Sequence, residues 1–219
     1  MRKAGIEKGL VLVLCGALIC TACSTAWIGE AGQIVAALIP AVANMVTLVA
    51  TLQGSVSAAD VQTVQSVGSQ AGADLQLMES LITQYEKADA AAQPGLLNQI
   101  QAATGAVQSN LNGLLPALHI KDAATQAKIT ALVGILLSEV QSMAAIVPLA
   151  KANASVKMKK LGEKQVKKQA PLTASAFVVS YNATMTAKTG KGELDRATSG
   201  LRIHLHGKFE RWASAGLLK

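Results

Sequence analysis

Three sets of residues have types and spacing that could do chemistry. They are the thiols of Cys15, Cys20 and Cys23, the imidazoles of His119, His204 and His206, and a lysine run between positions 157 and 168. On a strand, His204 and His206 would share one face, close enough to touch a single metal ion. Zinc takes three or four protein ligands. The only other imidazole, His119, lies far away in the chain, so the pair reads as surface. Asp74, Glu79 and Glu86 flank an apolar helix seam and read as a solvated face. None of them belongs to the Glu-x-x-His pattern of di-iron bundles. No phosphate-cradling loop, dinucleotide turn, Gly-x-Ser-x-Gly elbow or His-Glu-x-x-His is present. The expectation is no catalytic constellation, no cofactor and no metal site, and nothing supports an enzyme.

The thiols all lie in one stretch, "LVLVLCGALICTACSTAW", from Leu10 to Trp27. Arg2, Lys3 and Lys8 precede an apolar run from about Gly9 to Ala22, and small residues follow. That is the three-part pattern of a secretory signal. "ICTAC" resembles the lipobox of bacterial lipoprotein signals. Thr21 and Ala22 suit the positions before the cysteine, and Cys20 stands where an aliphatic residue is usual. The resemblance covers about twenty residues and implies cleavage before Cys23, with lipid on that thiol. Residues 1–23 would then be the signal peptide. A plain cut after Ala26 is an alternative, as is an uncleaved anchor, because Gly9 to Ile28 is uncharged over twenty residues. All three put the rest of the chain outside the inner membrane. Cleavage before Cys23 leaves no second cysteine, which excludes disulfides within the mature chain.

Four elements must position whatever follows. Val61, Val64, Gly68, Ala71, Leu75, Met78, Ile82 and Tyr85 recur at spacings of three and four. This is a heptad seam on a helix over 58–88. Ser57 is its expected N-cap, with Asp60 three residues on. Leu96, Ile100, Ala103, Val107, Leu111, Leu114 and Leu118 form a second stripe, on a helix that Pro116 should kink or end. Ile129, Leu132, Leu136, Val140, Met143 and Val147 form a third, opened by Asp122 and closed by Pro148. Ile34 to Leu52 is uncharged over nineteen residues and apolar nearly all round. Such a helix belongs inside a bundle or in lipid. Short connections favour antiparallel neighbours. The expected fold is all-α: an antiparallel four-helix bundle over 24–150, with an N-terminal signal or anchor helix.

The charge is split along the chain. Residues 24–150 carry three lysines against eight carboxylates, and residues 151–219 carry fourteen basic residues against four acids. Residues 151–170 read as a basic linker and 171–219 as a C-terminal extension. Within the linker, Lys157, Lys159, Lys160, Lys164, Lys167 and Lys168 are the candidate polyanion-binding residues. Nucleic acid is disfavoured as the partner, because no aromatic residue interleaves these lysines to stack bases. In the extension, Phe177, Val179 and Tyr181 alternate as on a strand, and so do Leu201, Ile203 and Leu205. The extension is therefore expected to be partly disordered or to form a short two-stranded ribbon. Such a ribbon would lean on the bundle or on a second copy of the chain, which makes a homo-oligomer a candidate assembly.

The functional expectation is a non-catalytic exported envelope lipoprotein with a structural or interaction role. It would be membrane-anchored through Cys23 on the periplasmic or extracellular side, or else secreted. Its basic tail would touch anionic lipid or a cell-wall polymer. The alternative is a membrane-active protein, holin-like or pore-forming, that inserts residues 34–52.

Overall fold

The structure, a computed structural model, describes residues 4–52, 56–148 and 173–204, with side chains from Trp27 onward except that of Ala117. The described chain is all-helical. Its elements are α1 (Ala4–Thr51), α2 (Ala58–Lys87), α3 (Gln93–Ala117), α4 (Ala123–Ile146), α5 (Ala174–Thr186) and α6 (Gly192–Ser199).

Local chemistry sets the helix ends. Ser57 Oγ accepts from the Asp60 N–H at 3.1 Å and donates to Asp60 Oδ2 at 2.7 Å, which satisfies an orphan donor at the start of α2. Lys87 sits in its last turn, where the helix dipole favours a cation. Asp89 Oδ1 accepts from the Ala91 and Ala92 N–H groups and shapes the turn into α3, where Pro94 occupies the first turn. Pro116 lies one residue before the end of α3. Asp122 caps α4 by accepting from the Thr125 N–H at 2.9 Å.

α1 packs on α2 and α4, α2 on α3, and α3 on α4. The seam residues of α2 are buried, and so are Ile129, Leu132, Leu136, Val140 and Met143 of α4. Ile34, Val35, Leu38, Ala41, Val42, Met45, Leu48 and Val49 of α1 are buried as well. α1 sits close to α2 where Gly68 faces Val46, and a Cβ at Gly68 would overlap Val46 Cγ2. Trp27–Thr51 and Ala123–Ile146 are both long and apolar enough to cross a membrane.

The expected ribbon in the extension is corrected. The described residues 173–204 contain no strand. Residues 174–186 form α5, capped by Thr173 Oγ1, which accepts from the Ala176 N–H at 3.2 Å. Ala174, Phe177, Tyr181 and Met185 are its buried residues, at helical spacing. Residues 201–204 have no regular structure. Ile203, which a strand partner would have paired, is paired by a side chain instead. Asn182 Nδ2 donates to the Ile203 carbonyl at 2.8 Å, and Asn182 Oδ1 accepts from the Ile203 N–H at 2.9 Å. Leu205 and His206 lie outside the described residues.

Candidate functional site

Among the described residues, those singled out from the sequence do not converge. Cys23 lies on the backbone of α1, with its side chain outside the described set. Lys157, Lys159, Lys160, Lys164, Lys167 and Lys168 also lie outside the described residues. His204 is exposed and far in sequence from His119, whose Nδ1 lies 3.4 Å from Asp60 Oδ1. Asp60 is held below the usual carboxylate range, chiefly by its Ser57 hydrogen bond, against a smaller opposing effect of burial. Asp74 accepts from Asn110 Nδ2 at 3.1 Å, and Glu79 and Glu86 are exposed. Among the described residues, no group of three His, Cys, Asp or Glu is placed to hold a metal ion.

Polar chemistry collects instead where α5 and α6 cover α1 and α4. α4 carries two charges, Lys128 and Glu139, spaced eleven residues apart. Eleven residues make about three turns, so both fall on one face. Both are buried. Lys128 Nζ donates to the Ala187 carbonyl at 2.8 Å and to Thr198 Oγ1 at 3.3 Å, which ties the end of α5 and the last turn of α6 to α4. Desolvation pulls its pKa down, and the nearby Asp195 opposes that. Asp195 is itself spent on the turn before α6, accepting from Thr189 N–H and Oγ1 at 2.8 Å each. Lys191 Nζ pairs with Asp122 Oδ2 at 2.9 Å and holds that carboxyl down at about 2.

Glu139 has no such partner. It is fully buried, and neither carboxyl oxygen has a hydrogen bond. Burial, with the Glu30 carboxylate on α1 as a second cause, pushes its pKa up to about 8. Glu30 Oε1 accepts from the Ala174 N–H at 3.1 Å, at the first residue of α5. Further along, Tyr181 OH donates to the Ala41 carbonyl at 3.3 Å, and Asn44 Nδ2 donates to the Leu201 carbonyl at 3.1 Å. Burial raises the Tyr181 pKa.

No protein-family model matches the chain, nor does any curated protein or solved structure. Its function must be argued from its own residues.

Depressions among the described residues lie elsewhere. One of about 370 Å³ is lined by Val56, Ala58, Val61, Gln62 and Gln65. Another, of about 210 Å³, is lined by Leu115, Leu118, Ile120, Gln126, Ile129 and Thr130. Neither lining contains a titratable side chain.

One end of the molecule bears on the lysine segment. Trp27, four residues after Cys23, packs edge-on against Tyr85 at the end of α2, with ring centroids 5.1 Å apart. Glu30 holds Ala174 one turn further along α1. Gln101, in the first half of α3, donates from Nε2 to the Pro148 carbonyl at 2.9 Å. Pro148 and Thr173 are the described residues on either side of the lysine segment. Both therefore lie toward the end of the molecule where Trp27 sits.

Sequence reasoning passed over Glu30, Lys128 and Glu139. The available signal was the eleven-residue spacing of two opposite charges on an otherwise uncharged helix.

Proposed function

We propose that the chain is a non-catalytic exported envelope lipoprotein with a structural or interaction role. Lipid on Cys23 anchors it on the periplasmic or extracellular side of a membrane. Residues 24–150 form an antiparallel four-helix bundle. Lys157, Lys159, Lys160, Lys164, Lys167 and Lys168 contact an anionic envelope surface, either lipid or cell-wall polymer.

The observation that carries this reading is the shared end of Trp27, Pro148 and Thr173. A basic segment that leaves and rejoins the helices beside the lipid anchor is held near headgroups without further cost in search. Near an anionic surface each lysine is worth about 1 kcal/mol, so six contribute several. Such a contact weakens as salt shortens the Debye length to about 3 Å at 1 M. The antiparallel bundle is supported by pairings that join an earlier part of one helix to the end of another. These are Trp27 with Tyr85 and Gln101 with Pro148; Asp60 with His119 joins the start of α2 to the loop that follows α3. The inward burial of Ile34, Leu38, Met45 and Leu48 favours this reading over membrane insertion of residues 34–52.

The test keeps the whole chain from Ser24 onward, because removing α5 would bare the faces of α1 and α4 that it covers. Binding to anionic and neutral vesicles is compared before and after the six lysines are changed to glutamine. Salt-sensitive binding to anionic vesicles that the glutamines abolish is the expected result. Unchanged, salt-insensitive binding to both vesicles would put the apolar part of α1 in contact with lipid and transfer the reading to a membrane-active protein.

A further inference from the structure

We propose that Glu139 and Glu30 form a protonation-dependent latch that holds the first turn of α5 on α1 and α4. The arm formed by α5 and α6 is seated by few polar contacts. Lys128 holds Ala187 and Thr198, Lys191 holds Asp122, Asn44 holds Leu201, and Tyr181 holds the Ala41 carbonyl. All of these lie toward the later part of α5 and beyond. At its beginning, among the described residues, the arm is held by the bond from the Ala174 N–H to Glu30 Oε1.

Glu139 sits at that same level. The Lys128–Ala187 contact sets α4 against the end of α5, and eleven residues along α4 match about the thirteen residues back to Ala174. Glu139 is thus buried beside the Glu30–Ala174 contact, with no hydrogen bond of its own. Among the described residues, the other charged groups around it are few. α3 and α5 contain no charged residue, and Glu30 is the one charge in α1 after Trp27. On α4 the nearest charge is Lys128, about 16 Å away at 1.5 Å per residue. Tyr181 of α5 is titratable, and its hydroxyl is engaged with Ala41. No cation among these groups is placed to neutralise an ionised Glu139.

Protonated, Glu139 is a neutral group in a dry site. The Glu30 carboxylate then accepts from the N-terminus of α5, where the helix dipole favours negative charge. When Glu139 loses its proton, a buried charge appears beside the half-buried Glu30 carboxylate. Lifting the first turn of α5 hydrates Glu139 and frees the half-buried Glu30. This relieves the repulsion at less cost than unfolding the bundle, as expected for a local opening. The latch is shut in acid. It loosens as pH rises above the ordinary carboxylate value of 4.5 and levels off past about 8. By linkage, the opening equilibrium of α5 increases about a hundredfold between pH 6 and pH 9.

The experiment is amide hydrogen exchange on the full chain in lipid nanodiscs, from pH 6 to pH 9, corrected for the intrinsic pH dependence of exchange. Amides of residues 175–181 should open about a hundredfold more often at pH 9. They should do so through an event whose urea dependence is well below that of the central amides of α2. Glu139→Gln should remove the pH dependence. Glu30→Gln, which keeps an acceptor for Ala174, should move the rise to lower pH. A flat profile for residues 175–181 would overturn the latch. So would a rise that persists in Glu139→Gln, or exchange that occurs only with the urea-sensitive opening of α2. If Glu139→Gln fails to fold, the native profile and Glu30→Gln still decide the matter.

Discussion

Gly68 on α2 faces Val46 on α1 so closely that a single added methyl group would overlap Val46 Cγ2. Val46 is β-branched and stiff at χ1, so it cannot swing its methyl aside cheaply. Gly72, four residues on in the same helix, has nothing within 4 Å of the equivalent position. The two glycines make a matched pair. Gly72→Ala should stabilise the protein by about 0.5–1 kcal/mol through helix propensity. Gly68→Ala gains the same propensity and meets an overpacking cost of about 1–3 kcal/mol. It should lower the thermal midpoint while Gly72→Ala raises it. Stabilisation by both changes would mean that α1 and α2 are further apart than described.

The α2 seam separates core from surface over a single turn. Leu75 is fully buried and Glu79 is exposed. Leu75→Asp should cost several kcal/mol, because it puts an unpaired charge in the core. Glu79→Gln should change stability by about 0.5 kcal/mol or less. Equal shifts in urea midpoint for the two variants would refute the assignment of the seam.

Glu139 should give the whole protein a pH-dependent stability of unusual sign. Its folded pKa, about 8, lies above the ordinary 4.5. The folded state therefore binds more protons than the unfolded state between those values. The contribution is fully present below about 4.5 and is lost as pH rises through about 8. Each tenfold gain in proton affinity corresponds to about 1.4 kcal/mol, so the total loss is on the order of 5 kcal/mol. Urea unfolding at pH 5, 7 and 9 should show stability falling across the series. In Glu139→Gln the fall should be largely absent, and that variant should be the more stable protein at pH 9. A native protein as stable at pH 9 as at pH 5 would place Glu139 in a solvated or paired setting.

The helices of the bundle were largely legible because each carries one period. The stripe Val61 to Tyr85 repeats at three and four without interruption, and Ser57 and Asp122 announce their helices with capping side chains. α5 was misread for a specific reason. Phe177 and Tyr181 are four apart, a spacing that fits both alternation and a helix face. Only Val179 tells the two apart, and it is 69% exposed. The deciding residues, Ala174 and Met185, lay outside the short window that showed the alternation. The carboxyl pair was illegible for another reason. Glu30 and Glu139 belong to helices far apart in sequence, and only the packing of α1 on α4 brings them together. The eleven-residue spacing from Lys128 does mark Glu139 as an inward-facing residue. It does not name what lies opposite.

The lipid anchor at Cys23 is the premise on which the envelope reading stands, and intact mass tests it most directly. The full gene product is extracted from membranes with detergent and weighed. Its N-terminal residue should be Cys23, carrying the added mass of lipid. Cys23→Ser should abolish that species. A mass that retains residues 1–22, or an unmodified chain beginning at Trp27, would contradict the account.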